Sequence, residues 1–254
     1  MKFRSRYFLL SSIILLVSCQ KNFVVQKTET KQYIFNTDVN QVDNTLNAFI
    51  APYRDSLTEK MNTVVVRSEA ELIKGRAGKN MLPAQWAMGN FVTDACLQIA
   101  KQQAEKNGTP TPDLSIFTWG SVRRSLPKGD VTMKNMYELM PFENEMLVLK
   151  LSGKQIRTML SQLANGFDPF SGATVTMGDG NEILVDGKPI EDSRWYYVVS
   201  SDYLSFGGDD FAVLTEAAER IFCKIKVRDA LIQYVQRVHA SGQTLKPNYE
   251  QRIR

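Results

Sequence analysis

The 254-residue sequence has one histidine, His239, and three cysteines, Cys19, Cys96 and Cys223. A zinc finger, a multi-histidine metal site or a two-metal hydrolase centre needs more nitrogen and sulfur ligands than that. Carboxylates alone can hold Mg²⁺ or Ca²⁺, so the shortage excludes only the histidine- and cysteine-rich classes. A Ser-His-Asp hydrolase would have to use His239, which lies in the basic stretch Val-Gln-Arg-Val-His-Ala near the C-terminus. An excess of one charge is also missing. Lys and Arg number 31 against 27 Asp and Glu, a net +4 that falls to about +1 without Lys2, Arg4 and Arg6. A basic surface for nucleic acid is therefore not indicated. At 43% hydrophobic and 23% charged, the composition is that of a globular chain and excludes collagen-like and wholly disordered classes.

The one long apolar run is N-terminal. Lys2, Arg4 and Arg6 precede Tyr7 to Val17, which ends in Ser18-Cys19. So short a run cannot cross a hydrocarbon core as a helix, which takes about 20 residues. It has the layout of an export signal. Leu16-Val17-Ser18-Cys19 resembles the bacterial lipobox, whose cysteine is lipidated and becomes the first mature residue. An ordinary secretory signal with an incidental cysteine is the alternative. The favoured expectation is a signal over 1–18, lipidation at Cys19, a polar tether over 19–42 and a folded domain over 43–254, held in the bacterial cell envelope by its lipid. Cys96 and Cys223 form either an exported disulfide or two buried thiols in helix-like surroundings; the second is favoured.

Spacings of three and four put Leu46, Phe49, Ile50, Tyr53, Leu57 and Met61 on one stripe of a helix over 43–62 that contains Pro52. Helices are also expected over 86–106, 133–140, 152–164, with Ile156, Met159, Leu160 and Leu163 as its stripe, and about 223–240. Strands are expected near 63–67, 114–118, 146–151, 173–177, 182–185 and 195–200. Gly178-Asp-Gly-Asn marks a hairpin. Mixed helices and strands with a hairpin indicate an α+β class rather than a doubly wound parallel sheet.

Three segments combine glycine, charge and aromatic residues. In Thr118-Trp-Gly-Ser-Val-Arg123, Gly120 lets the backbone pass close to a bound group and Arg123 offers a planar fork for oxyanions, or is simply a solvated arginine. In Leu139-Met-Pro-Phe-Glu-Asn144, Phe142 is a stacking platform or a core residue. In Ser201 to Phe211, Gly207 and Gly208 form a turn that a side chain would obstruct. Asp209 can accept hydrogen bonds from sugar hydroxyls, and Tyr203 can form a second aromatic face; a plain loop is the alternative. Rings for a base, a carboxylate for ribose and a cation for phosphate make a chemically coherent nucleotide set.

Taken in order, these segments resemble the C-terminal domain of the 5′-nucleotidase family over roughly residues 43–254. Met88-Gly-Asn-Phe-Val-Thr-Asp-Ala-Cys is similar to its Leu-Gly-Asn-Leu-x-x-Asp-Ala element, and Thr118 to Arg123 to its Asn-x-Gly-x-x-Arg turn. Lys128-Gly-Asp-Val-Thr with Tyr137-Glu-Leu-Met-Pro-Phe, Leu151-Ser-Gly-Lys-Gln-Ile and Phe170-Ser-Gly follow. Tyr196-Tyr-Val-Val with Tyr203-Leu-Ser-Phe-Gly-Gly-Asp-Asp-Phe resembles its Phe-x-x-x-Gly-Gly-Asp-Gly-Phe block. The resemblance implies a four-layer α/β/β/α fold. It implies that Phe142 and Tyr203 sandwich a nucleobase, Asp209 binds ribose, Arg123 contacts the phosphate side, and Gly120, Gly207 and Gly208 shape the backbone. Thr118 stands where the family has Asn, Tyr203 where it usually has Phe, and Asp210 where it usually has Gly. The family also brings arginine from the preceding loop, where this chain has Arg76 and Lys79.

In the resembled enzymes a separate N-terminal metallophosphatase domain carries two metals and performs hydrolysis. Residues 20–42 and one histidine cannot build such a centre. No cofactor is expected on this chain; divalent metals are expected on a partner metallophosphatase, for which this chain would be the nucleotide-recognising specificity subunit. The alternatives are a non-catalytic nucleotide- or nucleoside-binding surface lipoprotein and a degenerate domain kept for structure.

Overall fold

A computed structural model describes residues 43–75, 78 and 80–254. The expected signal, the tether and Cys19 lie outside the described residues, as do Arg76 and Lys79. The chain divides into one unit over residues 1–49 and another over 50–254. Of the first, only residues 43–49 are described; they open helix α1 (Asn44–Asn62), whose remainder belongs to the second unit. No residue of α1 is buried, and Tyr53 and Leu57 are exposed. The periodicity located this helix correctly. Its apolar stripe is not part of the core.

The second unit is built on a five-stranded mixed sheet in the order β10 (Glu219–Lys226), β4 (Glu145–Ser152), β9 (Trp195–Ser201), β2 (Leu114–Ile116), β5 (Phe170–Ser171). Strand β4 is buried on both faces, as its near-continuous apolar run requires. Period-two alternation sends Met146 and Val148 into one core and Leu147, Leu149 and Leu151 into another. The first core packs against helix α2 (Pro83–Asn107) and helix α7 (Val227–Ala240). The second packs against helix α4 (Gly153–Gly166), which buries Ile156, Met159, Leu160 and Leu163 as its stripe demands. Ser152 caps α4 by accepting from the Gln155 N–H, and Gln155 returns a side-chain bond to the Ser152 N–H. Gly153 is obligatory at this start, because a Cβ there would lie 2.0 Å from the Glu191 carbonyl oxygen.

Two smaller sheets complete the unit. Strand β1 (Val64–Ser68) pairs antiparallel with β3 (Gly129–Thr132). Strands β6 (Ala173–Thr176) and β7 (Glu182–Val185) form the expected hairpin, extended by β8 (Lys188–Pro189). Helix α3 (Met133–Leu139) is capped by Thr132, which pairs with Asn135. The class is α+β, as expected. One boundary differs. The helix expected from about 223 begins at Val227, and residues 219–226 form edge strand β10 instead. Cys223 therefore sits on a strand, half-buried, whereas Cys96 is buried in α2; both are free thiols. Burial pushes both thiols up, Cys223 to about 11. Among the described residues no helix is long and apolar enough to cross a membrane.

Candidate functional site

Sheet topology gathers the three segments at one end of the inner strands. Strands β2 and β9 are parallel, so their C-terminal ends lie together, and β4 is antiparallel to β9, so its N-terminal end joins them. The chain leaving β2 becomes a 3-10 turn over Trp119–Ser121. The chain entering β4 is the loop carrying Phe142 and Asn144. The chain leaving β9 becomes helix α5 (Asp202–Ser205) and then the glycine turn, ahead of helix α6 (Ala212–Thr215). Between them lies a cavity of about 320 Å³ lined by Gly120, Ser121, Arg123, Phe142, Asn144, Tyr203 and Asp209.

Each expected residue can be placed. Arg123, Phe142, Tyr203, Asp209 and Gly120 line the cavity directly. Thr118 is buried behind it, where its hydroxyl donates to Asp209 Oδ2 at 2.6 Å. Gly120 permits this approach, since a Cβ there would stand 3.1 Å from the same oxygen. Gly207 has φ 93°, a left-handed conformation that glycine adopts without strain. Gly208 lies under the Tyr203 ring, and a Cβ would meet Tyr203 Cε1 at 2.5 Å. Asp209 and Asp210 follow with φ 52° and 62°, so the position where the resembled block usually has Gly is one that favours glycine here too.

Four of the cavity residues contact one another in pairs. The Arg123 guanidinium lies 4.9 Å from the centroid of the Phe142 ring, a cation–π arrangement. The Tyr203 hydroxyl donates to Asp209 Oδ1 at 2.9 Å, which raises the Tyr203 pKa because the carboxylate favours the protonated phenol. Asp168 lies behind the turn, accepting the Trp119 N–H at 2.9 Å. Burial pushes its carboxyl from 3.8 up to about 6; the Trp119 N–H opposes the shift and the Asp209 charge adds to it.

Supporting contacts fix the loops. Glu143 accepts from Arg228 at 2.7 Å and from Lys226, which lowers its pKa. The Val227 N–H donates to the Asn144 carbonyl at 2.9 Å. Arg220 donates to the carbonyls of Ser205, Leu214 and Thr215, pinning the segment that bears the glycine turn.

Ser121 and Asn144 are cavity residues that the sequence reading did not single out. Asn144 stands two positions after Phe142, and its amide donates to Asp202 Oδ1 at 3.0 Å. The spacing was visible; the side of the loop it faces was not. With an aromatic face, a guanidinium, a carboxylate and a side-chain amide, the cavity is equipped to recognise a flat ring bearing hydroxyls and an anion. Among the described residues no three His, Cys, Asp or Glu side chains gather as a metal site.

Comparison with known proteins gives this geometry a context. The family described as 5′-nucleotidase, C-terminal domain, matches residues 64–216. Trifunctional nucleotide phosphoesterase protein YfkN of Bacillus subtilis is 29% identical over 150 residues, covering 52% of this chain and 10% of its own. The 5′-nucleotidase of Vibrio cholerae is 23% identical over 194 residues, covering 73% of this chain and 33% of its own. The chain thus spans a minor part of the length of these relatives. Among solved structures, the 5′-nucleotidase precursor of Thermus thermophilus superposes with a TM-score of 0.62 at 23% identity, over 82% of this chain and 42% of that one. NAD nucleotidase of Haemophilus influenzae gives 0.61 at 18% identity, over 83% and 41%. Both share the fold.

Proposed function

The chain belongs to the 5′-nucleotidase C-terminal domain family, and on that premise we propose that it is a nucleotide-recognising specificity subunit acting with a separate metallophosphatase chain. The observation that carries the reading is the cavity itself. Phe142, Arg123, Tyr203 and Asp209 come from three distant segments and converge on one space of about 320 Å³. In this reading the Phe142 and Tyr203 rings hold a base, Asp209 faces the ribose and Arg123 takes the phosphate side. Holding base and sugar supplies binding energy remote from the reacting phosphorus, and the hydrolytic chemistry would be supplied by the partner chain. No step is assigned to a metal on this chain.

The basic N-terminus, its apolar run and Cys19 support export and lipid anchoring at the bacterial envelope, with the domain held at the membrane surface. A Cys19→Ser variant that still incorporates labelled fatty acid would remove that part of the proposal.

Calorimetric titration of the purified, metal-free chain with AMP, UMP, adenosine and UDP-glucose tests the central claim. Saturable binding that Phe142→Ala weakens about fivefold or more is expected, since a stacked base contributes about 1–3 kcal/mol. Binding that is indifferent to Phe142→Ala would defeat the site assignment. Metal-dependent turnover by the purified chain alone would defeat the subunit reading.

A further inference from the structure

Among the described residues Asp209 is the one carboxylate on the cavity wall, and both of its oxygens accept hydrogen bonds. Oδ2 accepts the Thr118 hydroxyl at 2.6 Å and Oδ1 accepts the Tyr203 hydroxyl at 2.9 Å. The donors are 91 and 6 residues away in sequence, so the turn after β2 and the turn after β9 are joined through this carboxylate.

We infer that the Tyr203 hydroxyl sets the sugar specificity of the cavity, by occupying Asp209 and lowering its preference for a vicinal diol. This rests on the nucleotide reading above. A ribose 2′,3′-diol recognised by one carboxylate donates a hydrogen bond to each oxygen. Hydrogen bonds to an ionised acceptor are the strong ones, so two hydroxyls already bound are serious competitors. Thr118 is buried, at 4% exposed, and its hydroxyl is shielded from solvent. Tyr203 is 50% exposed and can turn away. It is therefore Tyr203 that a diol must displace or share with.

The ring and the hydroxyl of Tyr203 have separable duties. The ring lies directly against Gly208, where a Cβ would come within 2.5 Å of it, a packing contact separate from the hydroxyl bond. Removing the oxygen leaves an aromatic face and releases Asp209 Oδ1. The raised Tyr203 pKa agrees with a phenol that stays protonated and donating.

The test is equilibrium binding of AMP and 2′-deoxy-AMP to the full chain and to its Tyr203→Phe variant, with Asp209→Asn as a control. For the unmodified chain the two affinities should agree within about threefold, and in Tyr203→Phe the preference for AMP should rise to about tenfold, the worth of one freed charge-assisted bond. Asp209→Asn should remove that preference. An unmodified chain that already favours AMP tenfold, or a Tyr203→Phe ratio equal to that of the unmodified chain, would overturn the inference while leaving nucleotide recognition intact. Failure of the unmodified chain to bind either ligand would overturn both.

Discussion

Asp168→Asn should make the protein more stable at neutral and alkaline pH, although it deletes a carboxylate. The carboxyl is half-buried behind the site, with one partner, the Trp119 N–H at 2.9 Å, and the Asp209 charge nearby. Burial raises its pKa from 3.8 to about 6 in the folded chain. The sign follows from proton binding. Between pH 4 and 6 the folded state holds this proton more tightly than the unfolded state, so stability falls as pH rises through that window and stays lower above it. Two units correspond to roughly 3 kcal/mol, and solvent screening of a half-buried group reduces this to about 1–2 kcal/mol. Asn keeps an oxygen for the Trp119 N–H and turns an amide N–H toward the field of Asp209. Urea denaturation at pH 8 should therefore show a midpoint raised by about 0.5 M or more, with the advantage shrinking below pH 5. A variant no more stable at pH 8, or an advantage that persists unchanged at pH 4, would refute the reasoning.

Gly153→Ala should destabilise by about 3 kcal/mol, because the new Cβ would fall 2.0 Å from the Glu191 carbonyl oxygen, where only backbone can yield; chemical denaturation measures it. Gly208→Ala places a Cβ 2.5 Å from an exposed tyrosine ring that can swing away. Its melting temperature should stay within about 4 °C of the parent while nucleotide affinity drops several-fold, and a loss of both would show that the ring is fixed by packing rather than by the glycine.

Strong local patterns were legible in the sequence. The α4 stripe, the β4 apolar run and the Gly178 hairpin each bury or turn as their periodicity demands. Strand β10 was missed because it is an edge strand with no fully buried residue, so its alternation is faint beside the helical stripe that follows. Helix α1 was found from its stripe, yet none of its residues is buried. Periodicity reports a face and not what covers it. In the site, residue types and order announced Arg123, Phe142, Tyr203 and Asp209. The bond between Thr118 and Asp209 spans 91 residues and depends on two parallel strand ends meeting, which no local pattern encodes.

The parity of β4 has a consequence for how the unit comes apart. Met146 and Val148 belong to one core and Leu147, Leu149 and Leu151 to the other, so neither core can melt without stripping a wall from its neighbour. Local opening of one half is therefore not a low-energy event. Amide hydrogens of β4 and β9 should exchange only through global unfolding, with one common protection free energy, while the loops at the strand ends exchange faster. The cavity residues ride on a frame that yields as a whole.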